Sequence, residues 1–361
     1  MKVFSFFLPQ FHPIPQNDEW WGAGFTEWTN VARSVPKFRG HYQPHLPADL
    51  GFYDLRLADT RHQQADLARQ YGIDGFIYYH YWFNGTRLLH EPLDFLLTKQ
   101  APGFPYFFCW ANENWTRRWD GMEANILIKQ DYSFADDLEH IRFLIPFFKT
   151  EAYHKRLGCP VLAVYRTELL PDPAETVRIW REEVKKAGFP DLFLIRIENL
   201  GPRPDPASEG FDAALEFAPD QVIRGPRLYH GRRYEWLSAM GLLEKGKVEN
   251  RLYRYDSLVR AMLNKRKPGY RWYRCACPSW DNSARRQQGA SLFLDPDPAL
   301  FREWVTTLLR DSLSQQPEED QFIAINAWNE WAEGCHLEPD QRYGHAWLEA
   351  VRDAKRDAGC L

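Results

Sequence analysis

FIAINAWNEWAEGCHLEP, residues Phe322–Pro339, is the stretch from which the rest of the chain is read. It opens as a short apolar run, Phe322 to Ala327, of the length and composition of a fully buried strand. It then passes abruptly into Trp328-Asn329-Glu330-Trp331-Ala332-Glu333-Gly334, so two carboxylates three residues apart sit among tryptophans where a strand would end. A carboxylate beside indole rings is partly desolvated, which raises its pKa towards the range useful for proton transfer. Paired carboxylates in aromatic surroundings are the usual apparatus of glycoside chemistry. A helix-capping Glu330 and a solvated Glu333 are the plainer alternative, and the strand-end position in tryptophan-rich company weighs against it.

Working outward, the same pattern recurs. Apolar runs at Val3–Leu8, Ile73–Tyr81, Tyr106–Trp110, Val161–Tyr165, Leu192–Ile197, Ala213–Phe217 and Trp272–Cys277 precede Phe322–Ala327. Helical spacing falls between or after them, at Phe52–Tyr71, Pro92–Lys99, Phe134–Lys149, Ala174–Ala187, Tyr255–Lys265, Pro298–Leu313 and Tyr343–Ala358. Eight short strands alternating with helices predict one (β/α)8 barrel of the TIM type over residues 1–361, rather than two domains. A doubly wound open sheet is the rival, but no G-x-G-x-x-G loop follows the first strand. The Pro-rich, aromatic span Gln10–Leu50 is too long for an idle connection. The Arg- and Tyr-rich span 218–255 has little period and is expected to be a loop insertion.

Polar and aromatic clusters mostly follow strands, and in a barrel those positions share the C-terminal rim where active sites are built. Candidate sugar-binding residues are therefore Gln10, Trp20, Trp21 and Trp28 in the first loop, Tyr81 and Trp82 after the second strand, and Asn112, Glu113 and Trp115 after the third. Trp280 and Asp281 after the seventh strand and Trp328, Asn329 and Trp331 around the two glutamates complete the set. Glu27, Asn84 and Asn282 lie in the same clusters. Against these stand a loop minicore for the first-loop tryptophans and Asx turns for Asn112. Indoles interleaved with Asp, Asn, Glu and Arg suit a surface that stacks on sugar rings and hydrogen-bonds their hydroxyls.

The 361 residues carry a net charge of −4 and are 16% aromatic, with 15 Trp. That balance gives no electrostatic case for nucleic acid or an anionic membrane. The six cysteines have no CxxC spacing and no dense disulfide framework. The N-terminus runs straight into a strand, without a basic and long apolar leader, and no apolar run reaches the length of a membrane span. A soluble, cytoplasmic chain is expected, and no cofactor. His12, His41, His45, His80 and His336 lie near rim segments, but none has HExxH spacing, so hydrogen-bonded histidines and no metal are expected. Arg117 and Arg118 are expected to pair with Asp120, and Asp120-Gly121 to be a turn.

Several long motifs extend the reading. They are FFLPQFHPIPQNDEWWGAGFTEWTNV (Phe6–Val31), GHYQPHLPADLGFYDLR (Gly40–Arg56), YGIDGFIYYHYWFNG (Tyr71–Gly85), FFCWANENWTRRWDG (Phe107–Gly121) and INAWNEWAEGCHLEPD (Ile325–Asp340). Together they resemble the WbsX-type proteins, relatives of the endo-α-mannosidases of glycoside hydrolase family 99, from Phe4 to about Leu348. The resemblance implies a (β/α)8 barrel acting on polysaccharide, often encoded among bacterial surface-polysaccharide genes, with some members carrying a glycosyltransferase label. It implies that Glu330 is the base that deprotonates the substrate 2-hydroxyl, whose oxygen then attacks the anomeric carbon to give a 1,2-anhydro sugar. Glu333 would protonate the leaving oxygen and later activate water. This route departs from the scheme in which a carboxylate is itself the nucleophile, and spacing alone does not choose between them. Ala332 stands where the mannosidases have histidine, so mannose specificity does not carry over.

The functions to be separated are a retaining glycoside hydrolase, a glycosyltransferase or transglycosylase of surface-polysaccharide synthesis, and a non-catalytic carbohydrate-binding protein. A nucleotide-sugar transferase finds neither a phosphate-cradling glycine loop nor a clear DxD motif here.

Overall fold

The computed structural model describes residues 1–117, 122–201, 203–286 and 288–361. The expected pairing of Arg117 and Arg118 with Asp120, and the Asp120-Gly121 turn, fall outside the described residues and side chains. Eight parallel strands close a barrel: β1 (Lys2–Phe7), β2 (Gly75–Phe83), β3 (Tyr106–Trp110), β4 (Cys159–Val164), β5 (Phe193–Glu198), β6 (Ala213–Glu216), β7 (Trp272–Tyr273 and Cys275–Ala276) and β8 (Phe322–Ile325). The nine parallel segments make eight strands because β7 is interrupted at Arg274. Its first half pairs with β6 and its second with β8, and this completes the ring. The Arg274 guanidinium donates to Glu216 on β6 at 2.9 Å and to the Met262 carbonyl at 2.8 Å.

Six long helices surround the barrel: α1 (Ala58–Gln70), α2 (Phe134–Phe148), α3 (Pro173–Lys186), α4 (Tyr255–Leu263), α5 (Pro298–Gln315) and α6 (Ala346–Asp357). With helices outside and packed side chains inside, both strand faces are buried, and the strands read as continuous apolar runs. β2 is buried along its whole length.

The strand period of two sorts the interior into layers. Phe4, Phe107, Phe322 and Tyr273 plug the lower end, with Phe4 5.2 Å from Phe107 and Tyr273 stacked 3.9 Å from Phe322. A Cβ on Gly75 would stand 2.4 Å from the Phe4 ring, so that ring occupies space only glycine leaves free. Above it Phe6, Tyr79, Tyr165 and Phe217 form the next layer, with Phe6 5.5 Å from Tyr79 and Tyr165 5.5 Å from Phe217. Above it the barrel opens, and the long loops begin.

Those loops hold more structure than their composition announces. The first contains helices Pro15–Trp21 and Glu27–Arg33. The span 218–255 contains helices Arg232–Ala239 and Lys245–Glu249, and its strand Arg251–Arg254 pairs in parallel with Ser291–Leu294. The expected helix Phe52–Tyr71 begins only at Ala58. Leu55 is fully buried, with its N–H bonded to Phe11 O at 3.1 Å, so it anchors the loop instead of beginning the helix. Among the described residues, no helix is long and apolar enough to cross a membrane.

Candidate active site

β8 ends at Ile325, and the chain folds at once into a tight hairpin in which Asn329–Glu330 pairs antiparallel with Cys335–His336. Trp331–Glu333 forms a 3-10 turn at its tip, closed by Gly334 at φ +54°. The left-handed conformation favours glycine, and a Cβ there would stand 2.9 Å from the Asp281 Cβ. The side chains around the glutamates lock the hairpin from below. Asn329 is fully buried, accepting from Leu8 N–H at 2.8 Å and donating to Leu8 O at 3.0 Å, which ties the hairpin to the end of β1. Trp331 stacks on His336 at 3.8 Å and donates to Glu338 at 2.7 Å. Trp328 is fully buried beside Phe76. The hairpin thus presents Glu330 and Glu333 to a cleft of about 500 Å³ at the barrel mouth.

Between the two glutamates lies Arg285. Its guanidinium bonds to Glu330 at 2.7 Å, to Glu333 at 2.8 Å and to Glu27 at 2.7 Å. Glu27 comes from the first loop, Arg285 from the loop after β7, and the other two from the loop after β8. Burial raises the Glu330 pKa to about 8; Arg285 opposes the shift, while Glu333 and Glu27 add to it. Burial likewise pushes Glu27 up, against the pull of Arg285. Burial disfavours the Arg285 charge, but the three glutamates more than offset that and hold it cationic. The cluster is therefore poised for proton exchange near neutrality, with a fixed positive charge at its centre.

Of the residues expected from the sequence, Gln10, Trp20, Trp21, Tyr81, Glu113, Trp115, Trp280, Glu330 and Glu333 line this cleft. Trp20 meets Trp115 edge-on at 5.6 Å, and Tyr81 lies 5.3 Å from Trp115, so two loops and the upper end of β2 build one aromatic wall. Glu113 is ion-paired to Arg166 across the cleft rim.

Seven others expected from the sequence do not line this cleft. Trp28 is the loop minicore: it packs on Phe11, Tyr53 and Trp331, and its N–H bonds to Tyr53 O at 2.8 Å. Trp82 points away, donating to Asp136 at 2.8 Å and stacking on His140 at 4.9 Å. Asn112 bonds to both the N–H and the carbonyl of Arg166 at 2.8 Å, joining the ends of β3 and β4. Asp281 is buried and accepts from His41 at 2.7 Å and Gln43 at 2.8 Å. His41 Nδ1 accepts from Lys37 N–H, so Nε2 carries the proton it gives Asp281. Burial pushes the Asp281 carboxyl up, yet the hydrogen bond from His41 holds it below its ordinary range. Trp328, Asn329 and Trp331 are the scaffold beneath the hairpin, as described. Asn84 is exposed at φ +46° in the Asn-Gly turn after β2, so it too is structural.

Sequence reasoning missed Arg285 and Asn17. Asn17 lines the cleft, is 1% exposed, and neither amide atom finds a hydrogen bond. The Gln10 Nε2 is buried in the same way. Both amides suit substrate hydroxyls, since a buried amide without a partner carries a desolvation cost that a ligand would relieve. Asn17 lies three and four residues before Trp20 and Trp21, on one face of their helix, and that spacing was the available signal.

Comparison with known proteins follows the geometry. Residues 3–351 match the family described as Glycosyltransferase WbsX. The WxcX proteins of two strains of Xanthomonas campestris pv. campestris are 41% identical over 352 residues, or 98% of this chain and 49% of theirs. The chain therefore spans about half the length of the curated relatives it matches. Among solved structures, a glycoside hydrolase-like protein superposes with a TM-score of 0.62 at 13% identity, over 98% of this chain and 93% of the other. The GH99 endo-α-mannosidase from Bacteroides thetaiotaomicron superposes with a TM-score of 0.58 at 14% identity, over 99% and 97%. At those identities the likeness is one of fold: a (β/α)8 barrel.

Proposed function

Because the chain belongs to the WbsX glycosyltransferase family, we propose that it breaks, or breaks and remakes, a glycosidic bond in a bacterial-type polysaccharide or oligosaccharide with retention of configuration. The observation that carries this reading is the triad of Glu330, Glu333 and Arg285 at the base of an indole-walled cleft. In the proposed reaction, Glu330 removes the proton of the substrate 2-hydroxyl. The 2-oxygen attacks the anomeric carbon while Glu333 protonates the departing oxygen, giving a 1,2-anhydro sugar. Glu333 then takes a proton from water, which opens the anhydro ring, and Glu330 returns its proton to the 2-oxygen. A base with a pKa of about 8 is better matched to a sugar hydroxyl than an ordinary carboxylate, although only a minority is deprotonated at pH 7. Arg285 keeps both carboxylates in place while the proton moves.

Hydrolysis is the first reading, by analogy with the glycoside hydrolases that share the barrel. Transfer to a sugar acceptor is the second, and the family's description favours it: the same anhydro intermediate opens to a sugar hydroxyl in place of water. Incubation with rhamnose-, mannose- and fucose-containing polysaccharides, with released and elongated products read by mass, separates the two. If neither appears from any glycan, the enzymatic reading fails.

The route has its own test. A 2-fluoro analogue lacks the hydroxyl that Glu330 would deprotonate, so it should bind, remain intact and leave the protein mass unchanged. A mass increase of one sugar, mapped to Glu330 or Glu113, would show a carboxylate nucleophile instead.

A further inference from the structure

Behind the catalytic hairpin, His45, His336 and Asp340 meet in a pocket of their own. All three are buried, and one ligating atom from each lies within 4.8 Å of the other two. His45 Nδ1 is 3.0 Å from His336 Nε2, and His336 Nε2 is 3.7 Å from Asp340 Oδ2. A tetrahedral zinc with bonds of about 2.0–2.1 Å sets its ligand atoms roughly 3.3 Å apart. The two separations to His336 Nε2 bracket that value, and the remaining pair, His45 to Asp340, lies within 4.8 Å, so a cation would draw the three side chains together.

The protonation pattern points the same way. His336 Nδ1 lies 3.0 Å from the Glu338 carbonyl, which can only accept. Nδ1 therefore carries the proton, and the Nε2 lone pair accepts the His45 Nδ1 proton at 3.0 Å, a proton that an entering cation would displace. This form of His336 is the backbone-held tautomer that ligating histidines adopt. Asp340 Oδ1 accepts the Arg342 and Tyr343 N–H groups, at 2.9 and 2.5 Å. Its Oδ2 is buried and makes no hydrogen bond of normal geometry. The Tyr42 hydroxyl is its neighbour, and a cation in the pocket would satisfy this buried carboxylate oxygen more fully.

The two segments are already joined before any ion enters. Ala48 N–H bonds to Pro339 O and Gln341 N–H to Leu46 O, both at 2.9 Å. The ligands thus stand on a preformed frame linking the first loop to the end of the catalytic hairpin.

We propose that His45, His336 and Asp340 bind a divalent first-row cation, with zinc the best match to two imidazoles and one carboxylate. The ion would be structural. His336 stacks on Trp331, which sits between Glu330 and Glu333, so the cation would brace the hairpin from behind without touching substrate. The site was not expected from the sequence, because His45 stands 291 residues before His336 and no ligand motif joins them. It is also independent of the function proposed above.

The test is metal content, read without any substrate. Full-length protein stripped with a chelator, given zinc chloride and desalted should hold about one equivalent of zinc per chain. The same protein loaded with cobalt(II) should show the visible d–d bands of a low-coordinate nitrogen and oxygen site. Asp340→Asn and His45→Gln should each weaken zinc binding at least tenfold, since even outer-shell changes at zinc sites cost about 10–100-fold. Should the wild type retain no more zinc than the variants, or cobalt give only the weak spectrum of the hexa-aqua ion, the site is a hydrogen-bonded cluster and the proposal is wrong. The wild-type measurement stands even if a variant fails to fold.

Discussion

Arg285 decides what the two glutamates can do. Without a cation, three carboxylates converging on one buried point would repel one another and take up protons; with it, Glu330 keeps a pKa of about 8 instead of rising further. Replacing Glu330 or Glu333 by Gln preserves shape and removes proton transfer, so turnover should fall by about 10²–10⁴ with an unchanged circular dichroism spectrum. Either variant at near-normal rate would sink the assignment. The pH profile follows from the sign of the shift. A base acts only when deprotonated and an acid only when protonated, so kcat/KM should be bell-shaped, with the Glu330 ionisation near 8 setting one of its two limbs. A profile with no inflection near pH 8 would mean that another group is the base. Glu330 and Glu333 were legible because a single motif holds both. Arg285 was not: it stands 45 residues before Glu330, and its role exists only once three loops converge. Gln10 was found by its strand-end position, while Asn17 was hidden in a helix that the loop's composition does not announce.

At the scale of elements, the hairpin after β8 is the part most sensitive to small change. Gly334 combines a left-handed φ of +54° with a backbone packed on Asp281, whose N–H bonds to Glu333 O at 2.6 Å. Gly334→Ala should cost about 1–3 kcal/mol in urea unfolding. Activity should fall further than that loss of stability explains, because the same shift moves Glu333. Full activity with unchanged stability would mean that the turn tolerates a side chain. The barrel strands were readable because burial on both faces leaves uninterrupted apolar runs. The break in β7 was not, since Arg274 sits inside such a run and its partner Glu216 belongs to another strand. Helices Arg232–Ala239 and Lys245–Glu249 bury no residue, so they carry no apolar stripe to read. The aromatic clusters overstated the cleft for a related reason: Trp28, Trp82, Trp328 and Trp331 have polar neighbours in sequence but spend their ring faces on one another and on the core.

For the whole molecule, buried histidines set the acid limit. Burial lowers His12 to about 4 and His45, His80 and His154 to about 3, and it depresses His140 and His336 too. In the unfolded chain each returns to an ordinary value near 6.5. Between those limits the unfolded state binds more protons, so stability rises with pH up to about 6.5 and is lost as pH falls towards 4. Glu330, raised to about 8, and Glu338, raised to about 7, act with the opposite sign and erode stability as pH climbs from about 4.5 to 8. The urea midpoint should therefore rise steeply from pH 4 to 6.5 and then flatten or decline towards 8. A midpoint already constant above pH 5 would show that carboxylates, not histidines, control acid unfolding.

The pattern of loop attachments has an evolutionary consequence. The loops after β1, β7 and β8, which carry the proton-transfer groups, are fastened to one another by buried bonds such as Asp281 to His41, Asn329 to Leu8 and Trp331 against Trp28. The facing wall, with Glu113, Arg166 and Asn199, comes from the loops after β3, β4 and β5, which share none of those three fastenings. Mutation can therefore rewrite that wall, and with it the glycan admitted, while the reaction centre is inherited intact. A lineage built on this chain is free to diversify in substrate long before it loses its chemistry.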